Sequence, residues 1–383
     1  MITLTVWAFS LFSPSKPIIF SFFAGSGFLD LGFETSGFDV RFVNEFHKPF
    51  LDAYKYSREH MGLPKPKYGH YLGSIDDFVT GEKKQLLHDL VQEAKSEALT
   101  GFIGGPPCPD FSVAGKNKGS DGENGILTSV YIDAIVKNQP DFFLFENVKG
   151  LWQTVKHRTF YEGIKSKLND AGYVLTDRLT NSIEFGVPQD RDRILMFGIH
   201  RKHVTDQLTS QQLTKDFHWE REVKFDKSKV LDKAIWPSLN DYKENSIRKF
   251  PQSLNDYKEL TVEYWFKKNN VYKHVNAKHH FKPYSEKFKT IQEGDDTKKS
   301  FKRLHRFRYS PTAAYGNNEV HLHPYKSRRL SAAEALAIQS LPREFHLPST
   351  MTLSDMFKTI GNGVPYLASL GLAKTIRAYL SSL

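Results

Sequence analysis

Seven short apolar runs, alternating with helix-like stretches, occupy residues 17–200 and leave few folds open to this sequence. The runs are Pro17–Ala24, Asp39–Asn44, His70–Ile75, Gly101–Ile103, Asp141–Phe145, Tyr173–Thr180 and Ile194–Ile199, all short and rich in β-branched or aromatic residues. Between several of them lie stretches of helix character, such as Phe28–Ser36 closed by Gly37, and Thr128–Asn138 closed before Pro140. A strand buried on both faces reads as a continuous apolar run, so the alternation predicts an α/β fold: a mostly parallel, doubly wound, Rossmann-like sheet with helices on both sides. Ligands of such sheets bind beyond the carboxyl ends of the strands.

After His200 the rhythm stops, and the next 130 or so residues are polar, aromatic and lysine-rich with no clear period. The heptapeptide SLNDYKE occurs twice there, at Ser238–Glu244 and Ser253–Glu259, which reads as local duplication because two copies are too few for a solenoid. At Ser331 a helix former, SAAEALAIQSL, appears with Ser331 as N-cap and Glu334 completing a capping box. A chain of 383 residues has room for two domains, or for one with a large insertion. The pattern predicts one domain from residues 1–200 plus 328–383, and a smaller one, residues 201–327, inserted into it.

Charge separates the same regions. Between Arg201 and Leu330 lie 28 of the 53 Lys and Arg but 16 of the 43 Asp and Glu, a net +12 against −2 for the remainder. A basic segment set in a near-neutral body predicts a polyanion partner, since neutralising phosphates releases counterions; a solvated lysine-rich surface is the alternative. A single cysteine, Cys108, excludes an intramolecular disulfide and a multi-cysteine metal site, and fits a reducing, cytoplasmic setting. The apolar opening, residues 1–15, lacks the charged start and the cleavage site of a signal peptide. Pro17–Phe23 is too short to span a bilayer.

Four segments carry chemistry. FAGSGFLDLGFE, from Phe23 to Glu34, is a strand end, a glycine turn and a helix start, which brings backbone amides up to a nucleotide-like ligand. The second strand ends at Asn44 and Glu45, where a carboxylate can accept both ribose hydroxyls. GGPPCPDFSVAGK, from Gly104, sets Cys108 between prolines; a lone cysteine is usually a small buried hydrophobe, but this context reads as an exposed, anion-facing loop. PDFFLFENVKGL, from Pro140, delivers Glu146 to the ligand edge as a candidate proton donor. FGVPQDRDRILMFGI sets Gln189, Arg191 and Arg193 before the last strand, and alternation points both arginines to one face, where they could hold a carboxylate or a base carbonyl. A salt-bridge ladder with Asp190 and Asp192 is the alternative.

In this order the segments resemble the motifs of the cytosine-C5 DNA methyltransferase family of bacterial restriction-modification type. Its FAGxGG turn resembles Phe23–Phe28, its Pro-Cys-Gln loop Pro107–Pro109, its Glu-Asn-Val triplet Glu146–Val148 and its Gln-x-Arg-x-Arg run Gln189–Arg193. RRLSAAEALAIQSLP from Arg328 and IGNGVPYLASLGLA from Ile360 are similar to its last two motifs. Three departures stand out: Phe28 replaces a glycine, Pro109 a glutamine and Ser74 an acidic residue, for which Asp76 is a substitute.

The resemblance implies S-adenosylmethionine as methyl donor and S-adenosylhomocysteine as product, with cofactor contacts at Phe23, Gly25, Ser26, Gly27, Glu45, Ile75, Pro107, Leu127 and Asn362, and no metal. It implies catalysis by a Cys108 thiolate adding to cytosine C6, with Glu146 at N3, Arg193 at the base carbonyl and Arg191 fixing the loop. The target cytosine must be flipped out of its duplex. The insert becomes a target-recognition domain. Within it RLHRFRYSPTAAYGNN, from Arg303, mixes basic, aromatic and amide side chains, so Arg303, Arg306 and Arg308 are candidates to read base edges, and Thr312 and Ser112 to touch DNA. Lys298 and Lys299 are expected on phosphates. The expected partner is double-stranded DNA, with no membrane; a cognate restriction endonuclease would act independently, and the protein as a monomer. Two rivals are a transfer-RNA methyltransferase of the same fold, which typically has a smaller insert, and a non-catalytic homologue, which should have lost Cys108 or Glu146.

Overall fold

A computed structural model describes residues 15–107, 123–298, 300–313, 315 and 321–383. Every one of the seven apolar runs forms a strand: β1 (Ile18–Phe22), β2 (Asp39–Glu45), β3 (His70–Leu72), β4 (Thr100–Gly104), β5 (Phe142–Val148), β6 (Tyr173–Asn181) and β7 (Asp192–His200). Among the described residues they make one sheet in the order β3-β2-β1-β4-β5-β7-β6. The first five strands are parallel, whereas β7 runs antiparallel to both β5 and β6. The sheet is mostly parallel, as expected, with β7 the one reversed strand. Only residues 182–191 join β6 to β7, too few for a crossover helix, so β7 returns antiparallel.

Alternation along the buried strands feeds two cores. Ile18, Phe20 and Phe22 pack on one face with Phe42, Phe102, Phe143 and Tyr131, while Ile19 joins Val43, Ile103, Leu144 and Phe197 on the other. The second face is closed by the helix Tyr366–Leu380, which also packs against the helix Phe28–Thr35. The approach is close: a Cβ at Gly32 would lie 2.2 Å from the Ser369 hydroxyl. The helix Glu123–Asn138 starts upstream of the expected Thr128.

Between β7 and the helix Ala332–Ile338 the chain forms short helices and a two-stranded parallel pair, β8 (Lys302–Arg303) with β9 (His321–Leu322). Its small core gathers Val230, Trp236, Leu254, Leu260 and Phe307. The two SLNDYKE copies take different conformations. The second lies in a 3-10 helix, Gln252–Leu260, with Leu254 buried, whereas the first is irregular apart from one bridge between Asn240 and Glu293, leaves Leu239 exposed and lays Tyr242 under the Arg303 guanidinium at 4.0 Å. The capping box at Ser331 and Glu334 is present. Glu334 also receives both guanidinium nitrogens of Arg328 at 2.7 Å, and these partners with His323 hold its carboxyl well below the usual range despite burial. Among the described residues no helix is long and apolar enough to cross a membrane.

Candidate active site

The glycine turn leaves the carboxyl end of β1 in an uncommon conformation. Phe23 sits at φ 54, a left-handed value that costs a non-glycine residue about 1–3 kcal/mol, and Gly25 and Gly27 follow at φ 57 and 79. Gly25 donates its amide to Glu45 Oε2 at 2.8 Å, and His47 donates to Oε1 at 2.7 Å, fixing the carboxylate at the end of β2 beside the turn. Burial pushes the Glu45 pKa up against these hydrogen bonds. A Cβ at Gly25 would meet nothing within 4 Å, so the turn faces open space. Phe46, next to Glu45, is 74% exposed at the same edge.

Behind the turn lies a buried polar buttress that sequence reasoning missed. Arg58 donates to Gly27 O at 2.6 Å, pairs with Glu34 at 2.8 Å and stacks on Tyr54, whose ring fills the space where a Gly27 Cβ would go. Asp30, fully buried, accepts from Ser21 Oγ at 2.9 Å, and burial pushes its pKa up to about 6, with Arg58 opposing. Asp30 and Glu34 lie within the glycine-turn motif, but nothing in the sequence marks Arg58 or Tyr54 as their partners.

The other residues expected at the cofactor divide. Ser26 is buried, and its hydroxyl is 2.7 Å from Thr359 Oγ1, so it ties the turn to the helix Leu353–Asn362 instead of facing the opening. Ile75 is buried in the core, Leu127 is half-buried against it, and Asn362 is exposed at its helix end. Ser74 Oγ binds the Asp76 carboxylate at 2.7 Å, so these two engage each other. Phe28, where the motif has glycine, is buried edge-on to Phe345 and lies over Gly363; a Cβ there would come within 2.2 Å of its ring.

Across the sheet, β4 ends at Gly104 and the chain turns over the end of β5. A Cβ on Gly105 would lie 2.5 Å from Glu146 Oε2, so a side chain there would push the carboxylate from its place. Pro107 is half-buried; Cys108 and Ser112 lie outside the described residues. Glu146 is buried at the end of β5, and Arg193 on β7, in register opposite Val148, brings Nε to 2.7 Å from Glu146 Oε1. Glu146 thus has a cation against it. Arg191 has different partners. It precedes β7 and is buried, with Nη2 donating to Gly361 O at 2.9 Å and Nη1 reaching Ala313 O at 3.4 Å, which makes it a positioning residue. Gln189 works in the same clasp, donating to Gln339 at 3.0 Å and accepting from Ala313 N at 2.9 Å.

A model of the C-5 cytosine-specific DNA methylases matches residues 18–378. The chain belongs to that family. Type II methyltransferase M.NmeDI of Neisseria meningitidis serogroup C is 59% identical over 96% of this methylase and 85% of its own length. M.FnuDI of Fusobacterium nucleatum is 27% identical over 95% of both chains. Among solved structures, a putative DNA modification methyltransferase encoded within a prophage of E. coli covers 96% of the methylase with a TM-score of 0.59 at 20% identity. The S. pombe Dnmt2 methyltransferase covers 96% with 0.57 at 11%; both show the shared fold. S-adenosylmethionine-dependent methyl transfer to cytosine C5 of DNA is the activity of the family, and so of this methylase.

Two of the arginines expected to read base edges are engaged within the protein. Arg303 is buried and donates to the main-chain oxygens of Phe288, Ile291, His323 and Lys326. Arg306 is buried in a two-pronged pair with Glu293 at 2.7 and 2.9 Å. Neither is free to read a base edge; both hold the insert together. Arg308 remains half-buried, with Nε unpaired. Thr312 donates to Asp190 O at 2.6 Å, joining the insert to the Gln189–Arg193 segment. Lys298 is exposed, and Lys299 lies outside the described residues.

Proposed function

We propose that this methylase acts through a covalent Cys108 adduct supported by Glu146 and Arg193, and that residues 201–327 form a separate domain that chooses the DNA sequence. The observation that carries the first part is the approach of Gly105 to Glu146, three residues before Cys108, with Arg193 on the other carboxylate oxygen. A thiolate adding to C6 makes C5 of the ring nucleophilic, and dividing one hard substitution into two steps lowers each barrier. Glu146 hydrogen-bonds or protonates N3, so that negative charge does not build up on the ring as sulfur adds. Arg193 keeps Glu146 in place and presents its remaining donors to the base carbonyl. Loss of the C5 proton then lets the cysteine leave.

The opening at Gly25, the fixed Glu45 carboxylate and the exposed Phe46 ring fit a nucleoside, so Gly25, Glu45, Phe46 and Asn362 would hold S-adenosylmethionine. When bound it supplies an electrophilic methyl group. The net charge of +10 over residues 201–327 supports phosphate contact, and Arg308 and Thr312 remain the candidates there at the DNA. M.NmeDI and M.FnuDI are named type II methyltransferases, which supports a protective role beside a restriction endonuclease that acts independently, with the methylase a monomer.

Bisulfite sequencing of plasmid DNA treated with purified protein tests the reading. Methylcytosine should appear at one position of one recurring sequence. Methylation of transfer RNA in place of the plasmid would overturn it. Exchanging residues 201–327 for those of a relative with another target should move the methylated sequence.

A further inference from the structure

The loop from Asn245 to Phe250 is held firmly from below and bare on top. Asn245, left-handed at φ 53, donates its amide to Tyr325 O at 2.8 Å, and Phe250 sets its ring edge-on to Phe307 with centroids 5.4 Å apart. Between these anchors the Arg306 guanidinium donates to Ser246 O at 2.6 Å and to Ser246 Oγ at 2.8 Å, while the rest of it is committed to Glu293. On the outer side Ile247 is 98% exposed, and Arg248 and Lys249, which follow it, are exposed as well, with Arg248 Nε also 3.8 Å from Glu293 Oε2.

A single apolar side chain in water is ordinary on a protein surface. The support beneath this one is not. A buried ion pair is costly to assemble, and here it fixes the main chain at the residue before Ile247, so the ordering that binding would otherwise require is present beforehand. The loop also stands beside the stretch Arg306–Thr312. That stretch runs on to Ser310, whose amide donates to Pro188 O at 2.8 Å, next to the segment that carries Arg193. Cations on either side of a groove position a protein on phosphates, and a branched aliphatic side chain is suited to a thymine methyl or to a base step.

We propose that Ile247 is a sequence-reading contact of this methylase, its side chain entering a DNA groove against the apolar surface of the bases. Arg248 and Lys249 lie on flanking phosphates, and Arg306 is a positioning residue that acts through Ser246. The inference rests on the reading that the insert carries sequence choice.

The test uses the full chain with duplexes carrying the methylated sequence and each single base-pair change to it, at two salt concentrations. Ile247→Ser should fold as wild type, because the side chain touches almost nothing. It should lower kcat/KM on the proper duplex roughly tenfold and lose discrimination at one base pair, with the salt dependence unchanged. Arg248→Ala with Lys249→Ala should weaken all duplexes alike and flatten the salt slope by about two. An Ile247→Ser protein that equals wild type, or one that loses activity uniformly on every duplex, overturns the inference. Exchange of residues 201–327 separates the two levels. If the exchange moves the methylated sequence while Ile247→Ser is silent, the loop assignment alone fails; if the original sequence is kept, the reading beneath it fails.

Discussion

Arg193 closes over the end of β5 with its Nε 2.7 Å from Oε1 of Glu146, while Oε2 of the same carboxylate faces Gly105 at the start of the Cys108 loop. One buried carboxylate thus receives a cation from β7 and the close approach of a loop from β4. Strand pairing sets the geometry, since Glu146 stands opposite Leu195, and Arg193, opposite Val148, is its diagonal neighbour.

Removing either partner should therefore act on the chemical step. Glu146→Gln and Arg193→Ala should each lower kcat by about 10²-fold or more while DNA affinity changes little. Arg193→Lys should recover only part, because an ammonium lacks the planar fork. Single-turnover rates with saturating DNA and cofactor check this, and a loss confined to DNA affinity would remove both residues from the reaction.

Cys108→Ser should abolish turnover while leaving DNA binding, since a thiolate forms near neutral pH and an alkoxide does not. Wild type alone should form a complex stable to denaturing gels with duplex containing 5-fluorocytosine, because fluorine at C5 blocks the release of the enzyme. A serine variant with appreciable turnover would show that another group attacks.

Glu45→Ala and Asn362→Ala should raise KM for S-adenosylmethionine more than KM for DNA. Glu45 has a second duty, because its carboxylate holds the Gly25 and His47 amides. Titration calorimetry of the cofactor against each variant decides the matter; equal weakening toward DNA would mean that Glu45 acts through folding.

Phe28 and Gly363 should behave as one unit. Gly363 has ordinary extended φ and ψ, so its backbone accepts alanine, and only the Phe28 ring stands in the way. Gly363→Ala should cost about 1–3 kcal/mol of stability, and the same change in a Phe28→Ala background should cost clearly less. Urea unfolding of the four proteins reads the coupling. Strict additivity would mean that the ring moves aside freely.

Asp30 predicts a pH dependence with a definite sign. Its folded-state pKa is raised to about 6 from 3.8, so the folded protein binds this proton more tightly than the unfolded chain. The stability it contributes is complete below about pH 4 and is lost as pH rises through 6, an effect on the order of 3 kcal/mol. Asp30→Asn should gain on wild type by that amount between pH 4 and pH 7, measured as the difference in unfolding free energy. A gap between the two proteins that does not change with pH would show the carboxyl to be ionised throughout.

The sheet was legible because buried parallel strands are written as unbroken apolar runs, and each of the seven runs lies where a strand forms. The reversal of β7 was not, since strand direction depends on the length of a connection and leaves no mark on the strand itself. Arg303 and Arg306 show the limit at side-chain level. An arginine that reads guanine and one buried under main-chain carbonyls are the same letter, and what separates them is the distant Glu293 and the oxygens around Phe288 and His323. SLNDYKE makes the point within one chain, since identical residues are irregular in one copy and helical in the other according to what packs on them.

The clasp around the glycine turn has a consequence for how the protein is made. Ser26 is held by Thr359 and Leu29 by Ser369, contacts that span 333 and 340 residues, and Arg191 is held by Gly361. On the ribosome, at roughly 5–20 residues per second, the first strand and its turn wait tens of seconds for those partners to emerge. Contacts so far apart in sequence close late, because the loop entropy must be overcome first. The glycine turn therefore lacks these partners until the helices Leu353–Asn362 and Tyr366–Leu380 have been made.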